Sequence, residues 1–205
     1  MSHGLRNNKV DAIHKFMIAK KRLKQLGYVY PVIGFSYDSN PKGAHMKKSA
    51  LKALYVGQKI AKENGYNLSK FIIDFKGKNP DTKIRLIGHS LGTEVILSTI
   101  KKLAYSSKNQ DIVESVYFFG SSIPSELLGI KKYGKLVQKI VRNKIKNYYS
   151  PVDEVLKQSH NDGLIKNPLG YLGIRGKTIP KIIQIRVYPK NHRFVSYAAM
   201  LKSFP

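Results

Sequence analysis

Between Lys83 and Ile100 the chain reads KIRLIGHSLGTEVILSTI, and no other stretch constrains the fold as much. Ile84, Leu86 and Ile87 are strand-type residues. Gly88-His89-Ser90-Leu91-Gly92 makes a turn, and an apolar-periodic helix follows it. The turn is a G-x-S-x-G pattern with a strand before it and a helix after it. A turn this sharp puts Ser90 at its apex with strained backbone angles. Side chains at positions 88 and 92 would collide with neighbouring backbone, so glycine belongs at both. The expected result is a Ser90 hydroxyl raised above the strand end. The first helical amides, including that of Leu91, point at the space beside it.

The rest of the chain alternates between strand-like and helix-like segments, the pattern of an α/β domain. Its 205 residues suit one domain, residues 1–205. A helix is expected up to Leu26 and closed by Gly27, with Ile13, Phe16, Met17 and Leu23 mostly on one face. Val29 to Tyr37 reads as a buried strand. A polar turn, Asp38 to Gly43, leads into a helix from Ala44 to Asn64, stopped by Gly65. Leu68, Phe71, Ile72 and Phe75 mark a second helical piece. Beyond Ile100, Val113–Phe119 reads as a strand ending at Ser121 and Ser122. The stripe Tyr133, Leu136, Val137, Ile140 and Val141 is that of a core-packing helix. Lys144–Tyr149 is the next strand. Residues 159–180 are loop-like, a flap or a plain surface loop. Lys181–Tyr188 is the last strand, and a closing helix runs from Phe194 to Leu201. The fold class is therefore α/β: a mostly parallel sheet of about five strands flanked by helices.

Strand ends select the candidate site residues. Asp153 stands just past the fourth strand, where helix capping is the ordinary role of an aspartate. Glu154 is the adjacent alternative. His192 follows the last strand; His160 is its rival, with no strand leading into it. His89 lies inside the turn and cannot easily fold back onto Ser90.

These residues resemble the nucleophile elbow and chain order of the α/β-hydrolase superfamily, most closely its small, capless esterase- or lipase-like members. The resemblance runs from His3 to the final helix and implies a three-layer sandwich with a Ser90–His192–Asp153 triad. It implies that His3-Gly4-Leu5 is the loop that gives a second backbone donor, so the oxyanion would be held by the amides of Leu91 and Leu5. It also implies a strand before His3, between Val29–Tyr37 and Ile84–Ile87. That strand is not in this sequence. Either the chain starts inside a longer reading frame, or the two flanking strands close up directly.

The implied activity is hydrolysis of carboxylic esters through an acyl-enzyme, with neither metal nor cofactor. The net charge of +25, from 37 Lys and Arg against 12 Asp and Glu, opens an alternative. A catalytically silent scaffold could dock on polyanions, either nucleic acid or an anionic membrane surface. A basic esterase that docks on anionic membranes combines the two. The charges are scattered, and a solvated Lys-rich surface is the plainer reading. Absence of cysteine, of a leader-type N-terminus and of any membrane-length apolar run leads to an expected cytoplasmic location.

Overall fold

Four segments rich in β-branched and aromatic residues pair into one parallel sheet in the order β1-β2-β3-β4. They are β1 Arg85–His89, β2 Val113–Phe119, β3 Val141–Tyr149 and β4 Ile182–Arg186. The structure is a computed structural model and describes residues 1–5, 8–39 and 50–205. The expected helix start at 44–49 lies outside the described residues. The helices are α1 Lys9–Gln25, α2 Ala50–Lys78, α3 Gly92–Leu103, α4 Lys135–Ile140, α5 Glu154–Asn161, α6 Leu169–Leu172 and α7 Phe194–Ala199.

Strand alternation divides the interior into two cores. Leu86, Val116, Phe118 and Ile145 face one way and pack with residues of α2, α3 and α4, among them Ile72, Ile96, Ile100 and Val137. Ile87, Tyr117, Phe119 and Tyr148 face the other way and pack with Leu23 of α1 and Phe194 and Tyr197 of α7. The sheet is thus the middle layer of three. β2 is buried along its whole length, as a central parallel strand covered on both faces must be. β4 is the edge, and its Ile183 is half exposed.

The strand count is four, not about five. Among the described residues, the segment expected as a strand, Val29–Tyr37, forms no ladder and makes a single bridge at Phe35. A strand needs a neighbour along its length, and among the described residues Ser2 alone supplies one. Ser2 bridges in parallel to Phe35 on one side and to Gly88 of β1 on the other. Its N–H donates to the Ile87 carbonyl (2.8 Å), while Phe35 N–H donates to the Met1 carbonyl (2.8 Å). The two flanks therefore do not close up directly. Beyond Ser2 they enclose a slot of about 720 Å³, covered by Phe71, Ile72 and Phe75 of α2 and by Leu23, Tyr28 and Phe204.

Three helical expectations also change. α1 buries Ala12, Ala19 and Leu23, and leaves Ile13 and Met17 exposed. Ala12, Ala19 and Leu23 share the inward face, so Ile13 and Met17, set off from it along the helix, turn outward. Gly65 does not end a helix, because α2 runs through it to Lys78. The stripe from Tyr133 to Val141 splits: α4 ends at Ile140, and Val141 already belongs to β3.

Candidate active site

The elbow forms where its glycines require it. Ser90 follows β1 with φ of +52°, a left-handed conformation that costs a non-glycine residue energy. Its N–H donates to Phe119 O (3.1 Å), and its carbonyl accepts from Thr93 N–H (3.0 Å) and Thr93 Oγ1 (2.6 Å). These bonds hold the strained residue in place. A Cβ on Gly88 would come within 2.8 Å of Ile96 Cδ1, and one on Gly92 within 2.4 Å of Ser2 O. Gly92 thus lets the start of α3 touch the chain entering from Ser2 and His3.

Three side chains, distant in sequence, meet above the sheet's C-terminal edge. Ser90 Oγ donates to His192 Nε2 at 2.9 Å. His192 Nδ1–H donates to Asp153 Oδ2 at 2.7 Å. A carboxylate only accepts, so this bond fixes the proton on Nδ1 and leaves Nε2 free to accept. The same Oδ2 also accepts from Tyr197 O–H (2.6 Å). Asp153 Oδ1 accepts from Leu156 N–H (3.1 Å), which caps α5. The capping role and the contact with His192 are therefore both present, one on each oxygen. Burial pushes the Asp153 carboxyl up. The bonds from His192, Tyr197 and the Leu156 amide outweigh it and hold the group below the usual carboxylate range. Burial beside Asp153 drives the Tyr197 phenol strongly upward, so it stays a donor.

Leu91 N–H sits at the start of α3 and donates to no acceptor among the described residues. Gly4 lies against the nucleophile: a Cβ there would meet Ser90 Cβ at 2.9 Å and Ser90 Oγ at 3.4 Å. Leu5 packs its side chain near Gly57 of α2. The His3-Gly4-Leu5 loop is thus placed beside Ser90. His3 itself is fully buried and stacked on Tyr37, with centroids 4.6 Å apart. Its Nδ1 lies 3.0 Å from Gly4 O, while Nε2 receives Tyr37 N–H (3.4 Å). Those partners make Nδ1 the protonated nitrogen. Burial lowers its pKa, and Lys15 adds to this against the Gly4 carbonyl.

The rivals go elsewhere. Glu154 is exposed and pairs with Lys157. His160 packs against Tyr171, with ring centroids 6.0 Å apart. Ser121 Oγ donates to Thr93 Oγ1 (2.9 Å) inside the core, and Ser122 is also buried. Sequence reasoning missed Tyr197, which gave no signal beyond its place in an apolar helix. Among the described residues, no group of three His, Asp or Glu side chains is arranged to hold a metal ion.

Residues 50–161, just over half of the chain, match the family DUF726, described as a protein of unknown function. The chain belongs to this family. The matched region holds Ser90 and Asp153 but ends before His192. The chain is also 30% identical over 112 residues to the transmembrane and coiled-coil domain-containing protein STS1 of Oryza sativa subsp. japonica. The match takes in 55% of this chain but only 16% of that relative, so the DUF726 chain corresponds to a small part of it. Among the described residues, no helix is long and apolar enough to cross a membrane.

Proposed function

We propose that this DUF726 chain is a serine hydrolase of carboxylic esters, with the α/β-hydrolase arrangement of groups. The observation that carries the reading is the unbroken relay Asp153–His192–Ser90, with links of 2.7 and 2.9 Å. His192 Nε2 takes the Ser90 proton as Oγ attacks the ester carbonyl carbon. Asp153 holds the Nδ1–H tautomer and stabilises the imidazolium that forms. The amides of Leu91 and Leu5 are the donors to the oxyanion of the tetrahedral intermediate. As that intermediate collapses, the C–O bond breaks and the alcohol leaves with the proton from His192. Water, deprotonated by His192, then attacks the acyl-enzyme, releasing the acid and restoring Ser90.

A fluorophosphonate probe tests this. Labelling of the folded chain that disappears in Ser90→Ala is the expected result; no labelling of folded protein rejects the proposal. The charge of +25 supports a second, compatible proposal, that the surface is drawn to anionic membranes or nucleic acid. Binding to anionic vesicles or to duplex DNA should then weaken steeply with added salt and be indifferent to Ser90→Ala. Binding that ignores salt counts against it.

A further inference from the structure

His89 is the residue immediately before the nucleophile, and the relay does not use it. It is 3% exposed. Its Nε2 lies 2.8 Å from the backbone carbonyl of His192, the residue that carries the proposed base. A carbonyl only accepts, so Nε2 must carry the proton. Nδ1 is then bare, and it is buried without a partner among the described residues. The ring is enclosed by the rings of His192, Phe194 and Tyr197, at centroid distances of 5.1, 5.6 and 6.0 Å. The aromatic contacts fix the plane of the imidazole, and the hydrogen bond uses its one proton.

We infer that His89 is a positioning residue for His192, and this inference rests on the hydrolase reading of the site. Pro189 to Asn191 lies outside any strand or helix. Asn191 Oδ1 accepts from Arg193 N–H (3.0 Å) and from Ser196 Oγ of α7 (2.8 Å), which holds the turn on its helix side, and the His89 bond holds it on the nucleophile side. The His192 side chain reaches forward to Ser90, while its carbonyl reaches back to His89. The link therefore ties the base to the peptide unit next to the nucleophile, through one side chain. It resists any drift of His192 that would lengthen the 2.9 Å contact with Ser90 Oγ. Proximity of this kind governs rate steeply, because a displacement of about an ångström costs about a hundredfold.

The role also requires His89 to stay neutral. Burial opposes a charge there most, and His192 and Lys15 add to it, against the bond to the His192 carbonyl and the nearby Asp153 carboxylate. Protonation of Nδ1 would leave a buried charge with no partner, while the Nε2–H bond to the carbonyl would remain.

Two substitutions separate positioning from packing. His89→Gln places an amide N–H at about the reach of Nε2; His89→Leu fills the space and cannot donate. With fluorophosphonate labelling as the readout, Leu is expected to slow the rate roughly tenfold or more, as for a lost buried hydrogen bond, and Gln to restore most of it. Equal rates for Leu and wild type, or equal loss in Gln and Leu at matched thermal stability, overturn the inference. Imidazole nitrogen NMR gives a readout independent of catalysis. The His89 proton should sit on Nε2 from about one unit below to one unit above the ordinary pKa of about 6.5. The His192 ring signals should broaden in Leu and not in Gln. A proton on Nδ1 of His89, or unchanged His192 signals in Leu, overturns the inference whether or not the wild type is labelled. Absence of labelling in folded wild type refutes the hydrolase reading instead.

Discussion

At the residue scale, Asp153 separates two effects that usually travel together. One oxygen caps α5 and the other faces His192 and Tyr197. Asn caps a helix about as well as Asp. Asp153→Asn should therefore keep the cap but lose the charge that fixes the His192 tautomer. Its labelling rate should fall by up to about ten-thousandfold. The urea midpoint should fall only by the share of stability that the ionised carboxylate contributes, because the cap is kept. Tyr197→Phe removes a buried donor to the same carboxylate. Urea unfolding should show a loss of about 1.5–3 kcal/mol, the range for a hydrogen bond to a charged group. The sequence names Ser90 by its G-x-S-x-G turn, and Asp153 and His192 by their strand ends together with the chain order of the superfamily it resembles. It does not name Tyr197, because one tyrosine in an apolar helix looks like any other until its hydroxyl is placed.

At the element scale, the packing of α2 on α3 decides what Gly65 does. In an exposed helix, Gly→Ala gains about 1 kcal/mol. Here a Cβ at position 65 would lie 2.4 Å from Ser98 Cβ. Gly65→Ala should instead destabilise, by about 1–3 kcal/mol for an overpacked contact, read as a lower urea midpoint at an unchanged slope. A glycine among helix-type residues gives the same local signal whether it ends a helix or lets another helix approach. Only the neighbour tells them apart, and Ser98 is 33 positions further along the chain. The same reasoning covers Val29–Tyr37. Its composition is that of a strand, but a ladder forms only where a second backbone lies alongside, and beyond Ser2 none of the described residues does so.

At the scale of the whole molecule, buried histidines link folding to pH. His3 and His89 are both held below the ordinary value of 6.5, chiefly by burial. Below about pH 6.5 an unfolded chain binds protons at both positions that the folded chain refuses. Stability from these groups is therefore complete above that pH and declines as pH falls toward the folded-state values. His89→Gln should flatten part of that decline, seen as a smaller change in urea midpoint between about pH 6.5 and 5. Asp153, with its lowered pKa, contributes separately. Its share is present above the ordinary carboxylate value of 3.8 and is lost as pH falls below it.

The sequence by itself determined the local chemistry. The elbow, the strand-to-helix order and the position of each chemical group after a strand all follow from residue type and spacing. Short-range sterics and periodicity decide those features, and they act within a few residues. Tertiary structure alone decided that Asp153, a helix cap by its local sequence, also holds His192. The same is true of the bonds from Tyr197 and His89 that reach the triad, and of the slot that remains between Val29–Tyr37 and β1. Each depends on backbones and side chains brought together from distant parts of the chain, where the contact free energy belongs to the pair and neither partner's sequence records it.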